Sequence, residues 1–256
     1  MNTLTIVKVS GKIVENPDAL KVFIKQFSAI KGRRILIHSG ANLAGNVGQK
    51  MGIRTAHVDG RPVVDESTMK LLAMVYGGFV NKQLVTLLQG RNVNAIGLTG
   101  ADGNLITSLR RSLNDVDMGQ TGEVRNVNAK LLSMLLDAGM VPVIAPLTHD
   151  GKGNMLFNET DAMAAEIAKA LATRYTITLV YCFEKKGVLT NEHDPDSVVP
   201  ELRRTRYKTM RDMGIIKDWF VNKLDNAFSA IDHGVKQVYI TNAAQLGDYN
   251  KGTSVR

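Results

Sequence analysis

Cysteine is almost missing from this chain. Cys182 is the sole one in 256 residues, which excludes a disulfide framework, and its place in the apolar run Thr178-Leu179-Val180-Tyr181-Cys182-Phe183 predicts a buried, inert thiol. The 5 histidines are dispersed, and no zinc-type spacing exists. Aromatic residues make up 5%, too few for the stacking platforms that hold single-stranded nucleic acid. No uninterrupted apolar run approaches the ~18 residues needed to span a bilayer, so no membrane segment is expected and a cytoplasmic location is. Ser/Gly linkers, repeats and low-complexity tracts are also lacking, which leaves one large α/β domain or two lobes sharing a sheet. Acidic residues are in deficit, 24 against 32 basic ones, for a net charge of +8. Only Arg110-Arg111 and Arg203-Arg204-Thr205-Arg206 cluster, so the surplus suits a small polyanion such as a nucleotide, and no nucleic-acid partner is expected.

What is present is a regular alternation of apolar runs and helical patterns. Leu4–Val9 reads as a buried strand closing on Ser10-Gly11. Asn16 then offers an N-cap with Pro17 at the first helical position, and Leu20, Phe23, Ile24, Phe27 and Ile30 recur at helical spacing. Ile35–His38 repeats the strand and runs into Ser39-Gly40-Ala41, with a helix through about Met51. Asp65–Leu88 is the longest helical pattern, with Met69, Leu72, Tyr76, Val80, Leu84 and Leu87 on one side; Gly77-Gly78 at its middle predicts close helix–helix approach at a dimer seam. Further strands are expected at Ala95–Thr99, Val124–Val127, Val141–Ala145, Tyr175–Tyr181 and Gln237–Ile240. Helices are expected at Ala129–Ala138, Thr160–Leu171, Tyr207–Met213 and Val221–His233, with turn chemistry throughout Thr148–Asn154. This order predicts a mostly parallel sheet covered on both faces, with lobes 1–150 and 151–256 meeting near residues 150–175.

Lys8-Val9-Ser10-Gly11 sets a cation at the carboxyl end of the first strand, where open α/β sheets bind ligands. Small residues follow it, so a phosphate can reach backbone N–H groups. His38-Ser39-Gly40-Ala41 repeats the arrangement on the second strand. Either turn alone is an ordinary strand–helix connection; two on consecutive strands point to an anion-binding edge. Asp161, near the start of an Ala-rich helix, is either an N-cap or a carboxylate that orients cations. Lys223 is expected in the first turn of its helix, where a cation opposes the macrodipole and suggests a use. His149 and Lys152 read as part of a solvated loop. Two fixed cations beside small-residue turns are what phosphoryl transfer requires, because its transition state spreads negative charge over several oxygens.

Taken in order, Ile6-Val7-Lys8-Val9-Ser10-Gly11-Lys12, Ile35–Ala41, Val80-Asn81-Lys82 within the long helix, Gly97–Asp102, Val141–Pro146 and Gly252-Thr253 make the chain resemble the acetylglutamate kinases of the amino-acid kinase family over essentially its whole length. The resemblance implies an open αβα sandwich with a mostly parallel central sheet, an N-terminal lobe for an acyl-amino-acid, a C-terminal lobe for ATP, and a homodimer through the long helix. It also implies that Lys8 and Lys223 stabilise the transferring phosphoryl group and that Asp161 organises them. Ser10, Gly11, Gly187, Leu189 and Asp218 fall at nucleotide positions; Gly40, Ala41, Arg61, Pro62, Asn158 and Glu159 fall at substrate positions. Mg2+ is expected to enter with ATP, since no protein carboxylate cage is evident.

The chain departs from the family pattern at several of these positions. Lys-x-Gly-Gly is here Lys8-Val9-Ser10-Gly11, and His-Gly-Gly-Gly is His38-Ser39-Gly40-Ala41. Pro62 stands where an arginine clamps the substrate carboxylate, with Arg61 one residue early. Glu159 replaces a substrate-contacting asparagine, and the family's Gly-Gly-Met before the second lysine has become Trp219 and Phe220. An unpaired carboxylate at Glu159 is expected to repel an acylglutamate while the transfer frame stays intact. The expected activity is ATP-dependent phosphorylation of the side-chain carboxylate of an N-acylated glutamate, acetylglutamate or succinylglutamate, in arginine biosynthesis. A kinase with another acceptor and a non-catalytic nucleotide-binding regulator are the alternatives.

Overall fold

The computed structural model describes residues 2–113 and 116–256. The chain opens with β1 (Asn2–Val9), α1 (Gly11–Glu15), α2 (Pro17–Ala29), β2 (Arg33–His38) and α3 (Ala41–Lys50). Asn16 separates α1 from α2 because its side chain accepts from Ala19 N–H at 2.9 Å while Pro17 starts the second helix. A small hairpin, β3 (His57–Val58) and β4 (Arg61–Pro62), precedes the longest helix. That helix is continuous through α4 (Glu66–Leu72), a π-helical stretch (Ala73–Val80) and α5 (Asn81–Gln89). Asp65 caps it by accepting from Thr68 N–H at 2.7 Å. The π stretch contains Gly77-Gly78, where intrinsic α-helical preference is lowest.

By length and composition this helix would cross a membrane, at 24 residues and mean hydropathy 1.4, which counting uninterrupted apolar runs does not reveal. Its Tyr76, Val80, Leu84 and Leu88 are nevertheless buried in the protein's own core. Met69, Leu72, Tyr76, Val80 and Leu84 of the expected stripe are therefore core, whereas its Leu87 lies with Met74 and Phe79 on the outward face.

There follow β5 (Ala95–Leu98), β6 (Ile106–Leu113), β7 (Val116–Val127), α6 (Ala129–Asp137), β8 (Val141–Ile144), β9 (Leu147–His149), β10 (Met155–Asn158), α7 (Thr160–Leu171) and β11 (Tyr175–Phe183). The chain closes with β12 (Glu201–Leu202), α8 (Arg204–Asp212), α9 (Asp218–Asp232), β13 (Gln237–Asn242) and β14 (Thr253–Val255).

Eight strands form one sheet in the order β12-β14-β13-β11-β1-β2-β8-β5. Every pairing in it is parallel except β13 with β14. Side-chain parity along β1 sorts the two faces. Leu4 and Ile6 join a core with Met163 and Ile167 of α7 and Leu224 and Phe228 of α9, whereas Val7 and Val9 join one with Phe23 and Phe27 of α2 and Val80 and Leu84 of the long helix. Each such side chain contributes ~1.5–3 kcal/mol by leaving water, which is why both faces must be covered and why the strands read as continuous apolar runs. Lys8 shares the parity of Leu4 and Ile6, so its ammonium is directed into the α7/α9 layer.

A second unit is a closed barrel, β10-β7-β6-β9. Sequence periodicity anticipated little of it, placing one short strand at Val124–Val127 and turn from Thr148 to Asn154. β6 and β7 are rich in Arg, Gln, Asn, Asp and Gly, so the alternation that marks a half-buried strand is weak. The β9–β10 hairpin pairs His149 with Met155 and straddles residues 150 and 151.

Candidate functional site

Three side chains from three elements converge at the carboxyl edge of the sheet. Asp161 Oδ1 lies 2.8 Å from Lys8 Nζ, and Asp161 Oδ2 accepts from Lys223 Nζ at 2.7 Å. Strand parity supplies Lys8 and the first turn of α7 supplies Asp161. Helix α9 begins at Asp218, so Lys223 lies in its second turn and the expected conflict with the macrodipole does not arise. Asp161 does not cap α7 either, for no side chain caps that helix; its carboxylate serves the lysines. The cluster is buried, with side-chain exposures of 7% for Lys8, 8% for Lys223 and 22% for Asp161. Burial alone would raise the Asp161 pKa, but the charges of Lys223 and Lys8 outweigh it and hold the carboxyl well below the usual range. Burial brings Lys223 down to about 8, with Lys8 adding to the fall and Asp161 opposing it.

The two strand-end turns meet beside this cluster. A Cβ on Gly11 would lie 3.1 Å from Ala41 N and 3.3 Å from Gly40 N, so the backbone N–H groups at the start of α3 approach the first turn closely, leaving no room for a side chain there. Gly40 is similarly hemmed in, since a Cβ would meet Tyr76 and Val80 at 3.2 Å. Ser10 Oγ, where the resemblance expects glycine, donates to Glu184 Oε2 at 3.5 Å. His38 is fully buried beneath the second turn, and burial brings its pKa down to about 4 despite a bond to the Ser39 carbonyl. Asn81 Nδ2 approaches its Nε2 at 3.2 Å.

On one side of the cluster a cavity of about 600 Å³ is walled by Ser39, Ala41, Leu72, Tyr76, Phe157 and Asp161, with Arg61, Pro62 and Glu159 at its polar end. Gly119 positions that end. At φ +65° it brings β7 so close to the 61–64 segment that a Cβ would stand 2.3 Å from the Val64 carbonyl oxygen, and Thr121 Oγ1 donates to the Pro62 carbonyl at 3.2 Å. Glu159 does not stand as a lone negative charge. Arg61 Nε is 2.9 Å from its carboxylate and Arg111, on β6, is 3.6 Å away. Two guanidinium groups offset this one carboxylate, so the expected repulsion is corrected by partners that sequence alone does not bring together. Asn158 is engaged elsewhere: its amide bonds Ser108 at 3.1 Å and Thr148 at 2.6 Å inside the barrel.

Phe183, Gly187, Val188, Leu189, Ile216 and Phe220 line a separate, narrow slot of about 40 Å³. Phe183 stacks on Phe220 at 5.4 Å between ring centroids, so one of the residues standing in place of the family's Gly-Gly-Met forms one wall. A Cβ on Gly187 would stand 2.6 Å from Thr253 Oγ1. The side chain of Asp218 lies outside the described residues. Cys182 is buried beside the cluster, and burial pushes its thiol pKa well up, as its apolar run predicts.

Sequence reasoning missed Tyr76, Phe157, Arg111 and Ile216. The first two look like ordinary core residues in their periodic patterns, and Arg111 looks like half of a surface pair. Apolar walls at one end and convergent cations at the centre suit a polyanion.

The profile of the amino acid kinase family matches residues 3–242 of this chain. The chain belongs to the amino acid kinase family. It is 50% identical over 253 residues to the acetylglutamate kinase of Phocaeicola vulgatus, covering 99% of this chain and 98% of that protein. It is 48% identical to the acetylglutamate kinase of Bacteroides thetaiotaomicron, again over 99% and 98%. Among solved structures, N-acetylglutamate synthase from Neisseria gonorrhoeae complexed with coenzyme A and N-acetyl-glutamate superposes with a TM-score of 0.83 at 22% identity. That match covers 99% of this amino acid kinase chain and 59% of the synthase, and it establishes likeness of fold alone. The α/β sandwich with its mostly parallel sheet is the amino-acid kinase fold that the sequence led us to expect.

Proposed function

We propose that this chain phosphorylates the side-chain carboxylate of an N-acylated glutamate at the expense of ATP, as a step of arginine biosynthesis. The single observation that carries the chemical reading is Asp161 bridging Lys8 and Lys223 on the wall of the 600 Å³ cavity; relatives named acetylglutamate kinase at 48–50% identity support the acceptor class. The 600 Å³ cavity falls within the ~300–1,000 Å³ of typical ligand sites and is assigned to the acyl-amino-acid. The apolar slot is assigned to the nucleotide base. At about 40 Å³ it must open for a base to enter. When bound, Mg·ATP supplies the phosphoryl group, which the acceptor's carboxylate oxygen takes as the bond to ADP breaks.

The protein's own residues then act by position and charge. Lys8, at the end of β1, faces the transferring group, and Lys223 faces the nucleotide side. Asp161 holds both ammonium groups in place, so little reorganisation is needed as charge develops. Ser10, Gly11, Gly40 and Ala41 let phosphate and acceptor approach backbone N–H groups at the two turns. Arg61, with Arg111 behind it, is assigned to the acceptor's α-carboxylate in place of the arginine that Pro62 replaces. In this reading residues 1–150 serve the acceptor and assembly and 151–256 serve ATP, in the cytoplasm.

Assembly is proposed as a homodimer through the outer face of Glu66–Gln89. Met74 and Phe79 are 51% and 58% exposed there. Gly77 is turned inward, toward Leu147 and Thr99, whereas Gly78 looks outward, so Phe79→Glu is the informative change. Light scattering is expected to show a dimer for the native chain and a monomer for the variant. The activity is tested by ADP release from purified protein over acetylglutamate, succinylglutamate, glutamate, aspartate and carbamate. Turnover with an acylglutamate and none with carbamate is expected; the reverse would move the chain to another acceptor.

A further inference from the structure

Tyr181 bonds to one member of the cation cluster, lies under a second and is the register partner of the third. It is fully buried on β11, and β11 pairs with β1 in the register Lys8↔Tyr181. Ile177, Leu179, Tyr181 and Phe183 share the strand parity that faces α7 and α9, so the Tyr181 ring lies beside the Lys8 side chain on one face of the sheet. Two contacts extend from it. Tyr181 Oη donates to the Asp161 carbonyl oxygen at 3.1 Å, and Lys223 Nζ stands 5.2 Å from the ring centroid.

Core packing alone would be served by leucine or phenylalanine. Burying a phenol is unfavourable unless its hydroxyl is bonded, and here the bond goes to the main chain of the residue whose carboxylate carries both ammonium groups. We propose that Tyr181 is a positioning residue for phosphoryl transfer: its hydroxyl fixes the first turn of α7 and with it the Asp161 carboxylate, and its ring face holds Lys223 beside Lys8. The proposal rests on the reading of Lys8, Asp161 and Lys223 as the transfer site. Catalysis by placed cations is lost when the groups drift by a fraction of an ångström. Placement is shared between two residues. Asp161 ties the two lysines together by charge, and Tyr181 ties Asp161 to the sheet through its backbone. The ring also stabilises the charged form of Lys223 where burial opposes it. The charged and titratable groups around Lys223 are Asp161 from α7, Lys8 from β1, Tyr181 and Cys182 from β11 and Glu184 just beyond it.

The test compares Tyr181→Phe, which keeps the ring and removes the hydroxyl, with Tyr181→Leu, which removes both, alongside Lys223→Met. ADP release is measured in the full-length protein at varied ATP and acetylglutamate, across neutral and alkaline pH. Tyr181→Phe is expected to lower kcat about tenfold with both KM values unchanged, because misplacement of the cations is felt in the transition state rather than in binding. Tyr181→Leu is expected to lower kcat further and to move the alkaline limb of the kcat profile to lower pH, since Lys223 loses the ring face. Should Tyr181→Leu not fold, the kcat-against-KM split of Tyr181→Phe decides. Native kcat and an unmoved alkaline limb in the Tyr181 variants, whatever their melting temperatures, would make Tyr181 an ordinary core residue and overturn the proposal; an inactive Lys223→Met in the same series would leave the site reading standing. If Lys223→Met itself keeps native kcat, the site reading falls and this proposal with it.

Discussion

Two carboxylates two residues apart, Glu159 and Asp161, each gather two cations, yet the clusters they make are physically different. Asp161, itself 22% exposed, holds Lys8 and Lys223 at 2.8 and 2.7 Å with both ammonium side chains withdrawn from water at 7% and 8%. Glu159 holds Arg61 at 2.9 Å and Arg111 at 3.6 Å, with exposures of 20–27%. The lysine cluster rises from β1, α7 and α9, whose positions are set by the two cores of the sheet. The arginine cluster draws one partner from a two-residue strand and the other from the barrel. Burial makes the first pair of contacts hard to rearrange, because any broken partner is left charged and dry. Partial exposure makes the second adjustable, because water and a ligand carboxylate can replace Glu159 at little cost. Fixed cations suit charge that develops in a transition state; adjustable ones suit charge that arrives with a substrate.

The largest effect that would break this contrast is on stability. Asp161→Asn leaves two buried ammonium groups without a counter-charge and is expected to cost ~3–5 kcal/mol, read from denaturant midpoints, while Glu159→Gln costs under ~1 kcal/mol. Equal losses at the two positions would show that burial does not separate the clusters.

Next comes catalysis. Lys8→Met or Lys223→Met is expected to reduce kcat at least about a hundredfold with the circular dichroism spectrum retained, the order found when one oxyanion-stabilising donor is removed. Activity of the native protein should also decline as pH rises through about 8, because Lys223 loses its proton there and a neutral amine stabilises no developing charge. A kcat that stays level well above that pH would mean that Lys223 is not needed as a cation.

A moderate effect is expected at the arginine cluster. Arg61→Ala should raise the KM for acetylglutamate about tenfold, ~1.4 kcal/mol, with kcat nearly retained. Glu159→Gln should lower that KM by freeing the guanidinium groups; a raised KM would instead show that Glu159 itself contacts the acceptor. Smallest of all is Arg111→Ala. With its longer contact to Glu159 it should change the same KM only about two- to threefold, in keeping with an exposed ion pair.

The contrast also explains what was legible in the chain. β1, β2, β11 and α7 lie on strong local patterns, so side-chain periodicity and turn chemistry suffice to place Lys8, Asp161 and the two small-residue turns. The polar end of the acceptor cavity was not legible in this way. Arg61 and Glu159 were singled out one by one, yet read as a displaced arginine and an unpaired carboxylate, because neither Gly119, which docks the 61–64 segment on β7, nor Arg111, on a strand of weak periodicity, announces its contacts. The start of α9 was placed three residues late, Asp218-Trp219-Phe220 being read as loop, and the macrodipole argument for Lys223 failed with it.

Local sequence settled the order of β1, β2, β5, β8, β11 and β13 in the chain, the parity that directs Lys8 into the α7/α9 layer, the closeness required at Gly11 and the family to which the chain belongs. Each of these is a near-neighbour property, carried by side-chain period, turn chemistry and ordered motifs. Packing settled that Asp161 binds lysines instead of capping its helix, that Glu159 is shared by two arginines, and that Tyr181 sits under the cluster. Those outcomes depend on groups as far apart in the chain as Lys8 and Asp161 or Arg61 and Glu159, and only the docking of sheet, barrel and helices sets the distances on which their charges act.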